Sequence, residues 1–260
     1  MSAPLSRRKL ITAGLATAAG ASGLAVAARL ADRYGLIPPD HGGIYGVGET
    51  LTYAAHRPLL SSHSLAREFD RSKISKVCPI NGFPPENETY QRLLAGGFAD
   101  WRLMIEGLVT RPSSFSLAEL RRLPSSTRIT HQACEAGWSF IAEWTGVPLS
   151  YVLSLVGVLP QAKYVFFFPF SEEHFPLGKK WGSLDMFDAT HPQTLLTYGM
   201  NGQELPTGHG APVRVRVPRQ VGFKSTKYLS RITVTDTVKN IGNGLGSGSL
   251  DKGYSWYQGI

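Results

Sequence analysis

The sequence predicts an α+β fold of mostly mixed β-sheet with short helices. Short alternating runs such as Val213-Arg214-Val215-Arg216-Val217 and Arg231-Ile232-Thr233-Val234-Thr235 have the period of two expected of strands. Helical patterns occur only in brief, separately capped stretches. The strands do not alternate with helices in regular βαβ order. At 260 residues the chain can bury a sizeable core as one large domain or two small ones.

Taken in order, the chain opens on Ser6-Arg7-Arg8-Lys9-Leu10-Ile11, a twin-arginine pattern, followed by an uncharged Ala/Gly-rich run from Leu10 to Ala28. Alanine and glycine make this run too weakly apolar for an ordinary transmembrane span. Residues 1–30 are therefore expected to be a twin-arginine signal peptide, with Ala25-Val26-Ala27 as a cleavage site. A basic tail before an amphipathic helix is the alternative. Export through this route carries folded proteins to the periplasm; an uncleaved signal would leave the protein tethered to the membrane.

Residues 31–76 form the next expected unit, an extended N-terminal segment. Leu36 to Leu60 is rich in Pro, Gly and His without helical period, and Leu65 to Val77 is more polar. Residues 77–240 are the expected main domain. It starts with the loop Pro79-Ile80-Asn81-Gly82-Phe83-Pro84-Pro85, then a short helix over Thr89 to Gly96. Trp101 to Val109 reads as a strand with a turn, and Ser116 caps a helix over Leu117 to Leu123 that ends at Pro124. Ser126 to His131 is a strand running into the loop that holds Cys134, Val147 to Val156 a helix, and Tyr164 to Phe168 a buried strand. Pro192 to Tyr198 leads to a hairpin at Asn201-Gly202. Residues 241–260 are a Gly-rich C-terminal tail.

The net charge of +8 is partly the Arg7-Arg8-Lys9 cluster, and the remainder is spread without dense basic blocks. That distribution excludes a nucleic-acid-binding arm and suits a basic pocket for an anionic cofactor, substrate or partner. Cys78 and Cys134 are the two cysteines. In an exported protein they first suggest a disulfide, although a domain this large needs no such staple.

Chemistry concentrates in three segments. His131-Gln132-Ala133-Cys134-Glu135-Ala136-Gly137-Trp138 places a soft thiol in a polar loop leaving a strand. Alone, this favours a structural cysteine. His209-Gly210-Ala211-Pro212-Val213-Arg214 puts a histidine in a loop and an arginine at the start of a strand, and Gly222-Phe223-Lys224-Ser225-Thr226-Lys227 offers amides, hydroxyls and lysines on a turn. An anionic heteroaromatic ligand with a phosphate needs these groups. A solvated basic strand pair fits them equally well.

Together the segments resemble the oxidoreductase molybdopterin-binding domain family, which includes sulfite oxidases and periplasmic methionine-sulfoxide reductase catalytic subunits. The resemblance runs from about Val77 to Asp236 and is strongest over Cys134 to Leu149 and His191 to Ile232. It implies a sulfite-oxidase-type fold and a molybdenum–molybdopterin cofactor. It also implies oxygen-atom transfer at an oxo-molybdenum centre, with electrons exchanged with a separate partner such as a cytochrome. Cys134 falls on the metal-ligating cysteine, His209 and Arg214 on the pterin-contacting pair, and Ser225, Thr226 and Lys227 on the turn that holds the pterin and its phosphate. Asn81 matches a loop asparagine of the reductase branch, although Pro84-Pro85 stand where that branch has an aromatic-acidic pair. Glu135, Trp138 and Lys179-Lys180-Trp181 are candidates for the substrate mouth.

Two departures narrow the expectation. Sulfite oxidases carry arginines just after the cysteine, where this chain has Glu135-Ala136-Gly137-Trp138, so reduction of an S-oxide or N-oxide is expected ahead of sulfite oxidation. The chain also has no room for an extra dimerisation or haem domain, which predicts a monomer acting on a small-molecule or protein-bound substrate. The alternatives are a non-catalytic protein that keeps the pterin fold, and a periplasmic binding protein stapled by a Cys78–Cys134 disulfide.

Overall fold

A computed structural model describes residues 26, 29–31, 36–60, 64–170 and 181–260. The twin-arginine pattern and the Lys179-Lys180 pair lie outside the described residues. From the N-terminus come α1 (Val47–Leu59), α2 (Glu88–Ala95), β1 (Arg102–Gly107), β2 (Ser113–Ser116) and α3 (Leu117–Arg122). β3 (Ser126–Ala133), β4 (Ser139–Pro148), α4 (Leu149–Val156), β5 (Tyr164–Pro169), β6 (Gly182–Asp185) and α5 (Met186–Ala189) follow. β7 (Leu195–Met200), β8 (Gln203–Glu204), β9 (Arg214–Arg216) and β10 (Leu229–Thr235) complete the strands.

The strands form two sheets, so the α+β expectation holds. One has the order β2-β1-β10-β5-β6, with β1 and β10 parallel and the other pairs antiparallel. The second runs β3-β4-β7-β8, and β9 adds to β7. The main core lies where Leu103, Ile105, Phe167 and Ile232 of the first sheet pack with Val147, Leu196 and Val215 of the second and with α4. Their inward positions alternate along each strand, which is how a sheet buries one face.

Local signals act as expected where they are strong. Ser116 caps α3 through a capping box with Glu119. Asn201 (φ 52°) and Gly202 (φ 75°) turn β7 into β8 with the two left-handed residues that a tight hairpin requires.

Two expectations are corrected. The segment Leu36 to Leu60 contains α1. Its inward face carries Glu49, Tyr53 and Arg57, while Val47, Leu51 and Leu59 point outward. The usual apolar-inside pattern is inverted, so hydrophobic periodicity does not reveal it. The second correction is at Val147, which belongs to a ten-residue strand. Val147 and Pro148 pair with Leu196 and Leu195, and the helix begins only at Leu149.

The C-terminal residues fold back over the body. The Trp256 amide donates to Glu49 Oε1 at 2.8 Å, and the Trp256 ring is buried with Trp181, Tyr53 and Phe166. α1 is held against the same region by Arg57, whose guanidinium lies 2.9 Å from Asp185. From there Ser249, Lys252 and Tyr254 of the tail reach a cleft that Gln132 and Cys134, at the end of β3, also line.

Candidate cofactor site

Cys134 follows the last residue of β3 and opens a tight turn. Its amide donates to the Trp138 carbonyl at 3.0 Å, and the Gly137 amide returns to the Cys134 carbonyl at 3.0 Å. Gly137 takes φ +86°, which a side chain would resist. The thiol lies 3.7 Å from Asn81 Nδ2 and 3.5 Å from Glu135 Oε2. Burial raises its pKa, and the Glu135 charge raises it further. Such a thiol keeps its proton until a soft metal displaces it.

His209 ends a short 3₁₀ turn and is buried edge-on against Phe140, with ring centroids 5.9 Å apart. Burial, together with the positive charges of Arg214 and Lys227, lowers its pKa to about 4, so the imidazole is neutral at physiological pH. Arg214 starts β9 and is buried. Its Nη1 donates to the His209 carbonyl and its Nη2 to the Ser225 carbonyl, each at 2.9 Å. One guanidinium therefore ties the histidine turn to the basic turn.

That basic turn is built closely against β3. A Cβ on Gly222 would meet the movable end of the Gln132 side chain at 2.3 Å and the Ala133 carbonyl at 3.0 Å, so a side chain here would crowd the strand that delivers Cys134. Ser225 Oγ accepts from the Val217 amide at 3.1 Å. Lys227 Nζ donates to the carbonyls of Asn81 and Gly208, both at 2.7 Å, and so fastens the Asn81 loop to the site.

Asn81, Cys134, His209, Arg214, Ser225, Thr226 and Lys227 all line a single cleft that opens to solvent. Glu135 and Trp138 line it too. Trp181 does not. It is 4% exposed and packs with Phe166, Phe168 and Trp256, so it is a core residue rather than part of the mouth. Both cysteines are free, and Cys78 packs against the cluster of Phe140, Trp144 and Met200, so no Cys78–Cys134 staple forms.

Several lining residues escaped sequence reasoning. Gln132 sits at an inward position of β3, and a polar residue there in a half-buried strand was a readable signal. Ser249, Lys252 and Tyr254 come from the Gly-rich tail, and nothing local announces their arrival at the cleft. Tyr254 meets Phe223 edge-on at 5.3 Å, while Trp138 stacks on Phe140 at 6.1 Å, so two aromatic pairs wall the opening.

The residues fit an anionic pterin that carries a metal. Gln132 and Thr226 line the cleft, and Gln132 Oε1 and Thr226 Oγ1 are buried without protein partners, the hydroxyl packed beside Gly182; such atoms call for a ligand or water to satisfy them. Arg214 and Lys227 line the same cleft as the thiol, the chain comes close at Gly222, and aromatic rings flank the space. Phosphate, heterocycle and soft metal each find their usual donors there.

Comparison with known proteins gives the same result. Residues 93–241 match the oxidoreductase molybdopterin binding domain. The chain is 34% identical over 201 residues to the putative protein-methionine-sulfoxide reductase subunit YedZ1 of Azospira oryzae, covering 77% of this chain and 70% of that one. It is 37% identical over 145 residues to the protein-methionine-sulfoxide reductase catalytic subunit MsrP of Ralstonia nicotianae. That match covers 52% of this chain and spans 44% of the relative. The sulfane dehydrogenase SoxCD from Paracoccus pantotrophus is similar in structure at a TM-score of 0.49 and 28% identity, over 54% of this chain and 39% of that one. With the domain match spanning more than half its length, the chain belongs to the oxidoreductase molybdopterin-binding domain family and is a molybdenum-cofactor oxidoreductase.

Proposed function

We propose that the chain is an exported reductase of S-oxides, or of the related N-oxides, supplied with electrons by a separate carrier such as a cytochrome. The observation that carries the site assignment is the convergence of Asn81, Cys134, His209, Arg214 and the Ser225-Thr226-Lys227 turn on one cleft. In this reading Cys134 is the protein ligand to molybdenum. His209 and Arg214 contact the pterin, and the 225–227 turn holds the phosphate end. When bound, the cofactor supplies two-electron oxygen-atom transfer.

The chain's own residues supply orientation, charge and exclusion of water. Arg214 enters the cleft with its geometry fixed by two carbonyls, so little freedom is lost on contact. A neutral His209 can hydrogen-bond a pterin without adding charge. Trp138, Phe140 and Tyr254 present an apolar wall beside the thiol. Glu135 puts a carboxylate 3.5 Å from Sγ, where a sulfite dianion would meet repulsion and a neutral S-oxide would not. The names of the Azospira and Ralstonia relatives point to the same substrate class. The Ser6-Arg7-Arg8 pattern supports export to the periplasm of a protein already folded around its cofactor.

The test uses the full chain made in a host with intact cofactor synthesis. Metal analysis should give one molybdenum per chain, and a reduced-dye assay should show turnover of free and peptide-bound methionine sulfoxide. Sulfite oxidation should be slower by about 100-fold or more, since a site lacking the partner for a charged group discriminates at that level. The Cys134→Ser variant should keep its fold and lose nearly all turnover. Protein without molybdenum would sink the cofactor site, and sulfite outrunning the sulfoxide would reverse the substrate assignment.

A further inference from the structure

Arg216 lies two residues beyond Arg214 on β9, so the period of two places both side chains on the same face of the sheet. Both sit by the ring of Trp144, Arg214 at 5.3 Å and Arg216 at 5.4 Å from its centroid. Arg216 is 1% exposed. Its Nη2 donates to Thr130 Oγ1 at 3.2 Å and to the His131 carbonyl, both on β3. Its Nε and Nη1 are buried without a protein partner. Among the described residues no carboxylate pairs with either arginine. Burial and the neighbouring Arg214 push Arg216 down to about 9.

A buried charge with no counter-charge is strongly unfavourable. The ring of Trp144 and the acceptors on β3 hold the two cations, but none of them supplies a full negative charge. An anionic ligand does, because in a low-dielectric wall each uncompensated cation attracts it strongly. The placement matches that purpose. Arg214 lines the cleft, and so does Gln132, the residue after the carbonyl that Arg216 holds. Cys134 comes two residues later.

We propose that Arg216 is a positioning residue for the molybdenum cofactor, fixing the end of β3 that delivers Cys134 and backing Arg214 with a second buried positive charge. This rests on the assignment of Cys134 and Arg214 under the proposed function. Two effects follow. The charge helps hold an anionic cofactor, and it favours the more negative, reduced state of the metal, which raises the reduction potential.

The experiment compares the native full chain with Arg216→Met and Arg216→Lys, all made with cofactor. The readouts are the rate of cofactor release during dialysis and the Mo(V)/Mo(IV) midpoint potential followed by electron paramagnetic resonance. Arg216→Met should release cofactor roughly 10- to 100-fold faster, the range for residues that support a metal's ligands, and should have a lower potential. Arg216→Lys, measured at pH 6 so that a buried ammonium stays protonated, keeps the charge and should stay near the native potential at that pH while losing part of the grip on Thr130 and His131. Should the methionine variant fail to fold, Arg216→Gln carries the same expectation. Native potential and native release in the neutral variant would overturn the inference, as would an equal fall in potential for methionine and lysine. A native chain that binds no molybdenum would instead overturn the site assignment on which it rests.

Discussion

Cys134 owes its standing to its surroundings. A free thiol with a raised pKa beside a carboxylate is a poor nucleophile, yet the same sulfur in a cleft that Arg214 and Lys227 also line is a good ligand for a soft metal. Thr226 provides a sharper test of that cleft. Its Oγ1 is buried with no protein partner, so the folded chain gains nothing from the hydroxyl. Replacing Thr226 by Val preserves the shape and removes only that polar atom. Chain stability should stay within about 0.5 kcal/mol of native, or rise, because an unsatisfied buried group is itself a cost. Cofactor content should fall. Denaturant unfolding and molybdenum analysis of the same preparation check both halves. A stability loss without cofactor loss would show that the hydroxyl serves the fold.

The turn over residues 222–227 makes the equivalent argument at the scale of an element. Gly222 has no positive φ, so its requirement is space alone, set by Gln132 and Ala133 on β3. Gly222→Ala should push the turn off the strand, lower cofactor content and reduce stability by about 1–3 kcal/mol, the usual range for overpacking. Thermal unfolding and metal analysis measure this, and a variant with native values in both would refute the close approach. Elements of this kind were readable in the sequence when their signals were local. The Ser116–Glu119 capping box, the Asn201-Gly202 turn and the alternation of β9 and β10 each act within a few residues. α1 was not readable, because its polar face turns inward to meet Asp185 and Trp256, which lie far along the chain. The extent of β4 was hidden for a similar reason. Val147 to Val156 carries an apolar pattern that fits a helix, and only pairing with β7 makes Val147 a strand residue.

Across the whole molecule, the cleft is assembled from both sheets' connections and from a tail whose anchors lie far back in the chain. The three sequence motifs could name the cations and the thiol, but not Ser249, Lys252 or Tyr254, whose approach depends on contacts between the two ends of the protein. The same long-range packing buries groups that titrate. His191 is 1% exposed, and its Nδ1 accepts from the Gln193 amide at 3.2 Å. Gln193 in turn holds Ala66 through both its side-chain atoms. Burial, with Arg219 nearby, lowers the His191 pKa to about 4, whereas an unfolded histidine titrates near pH 6.5. Between those values the unfolded chain binds a proton that the folded chain does not. The His191 contribution to stability is therefore complete above about pH 6.5, falls as the pH drops toward 4, and levels off below that, with a slope of up to about 1.4 kcal/mol per pH unit. His209 adds to the fall in the same direction. The buried carboxyls of Asp40 and Asp188, raised by burial, oppose this fall, so the test is a difference: in urea unfolding at half-unit steps from pH 7 to pH 4, the His191→Asn variant should lose less stability with falling pH than the native chain, by as much as one proton. A His191→Asn slope equal to the native slope would mean that His191 is already protonated in the folded protein.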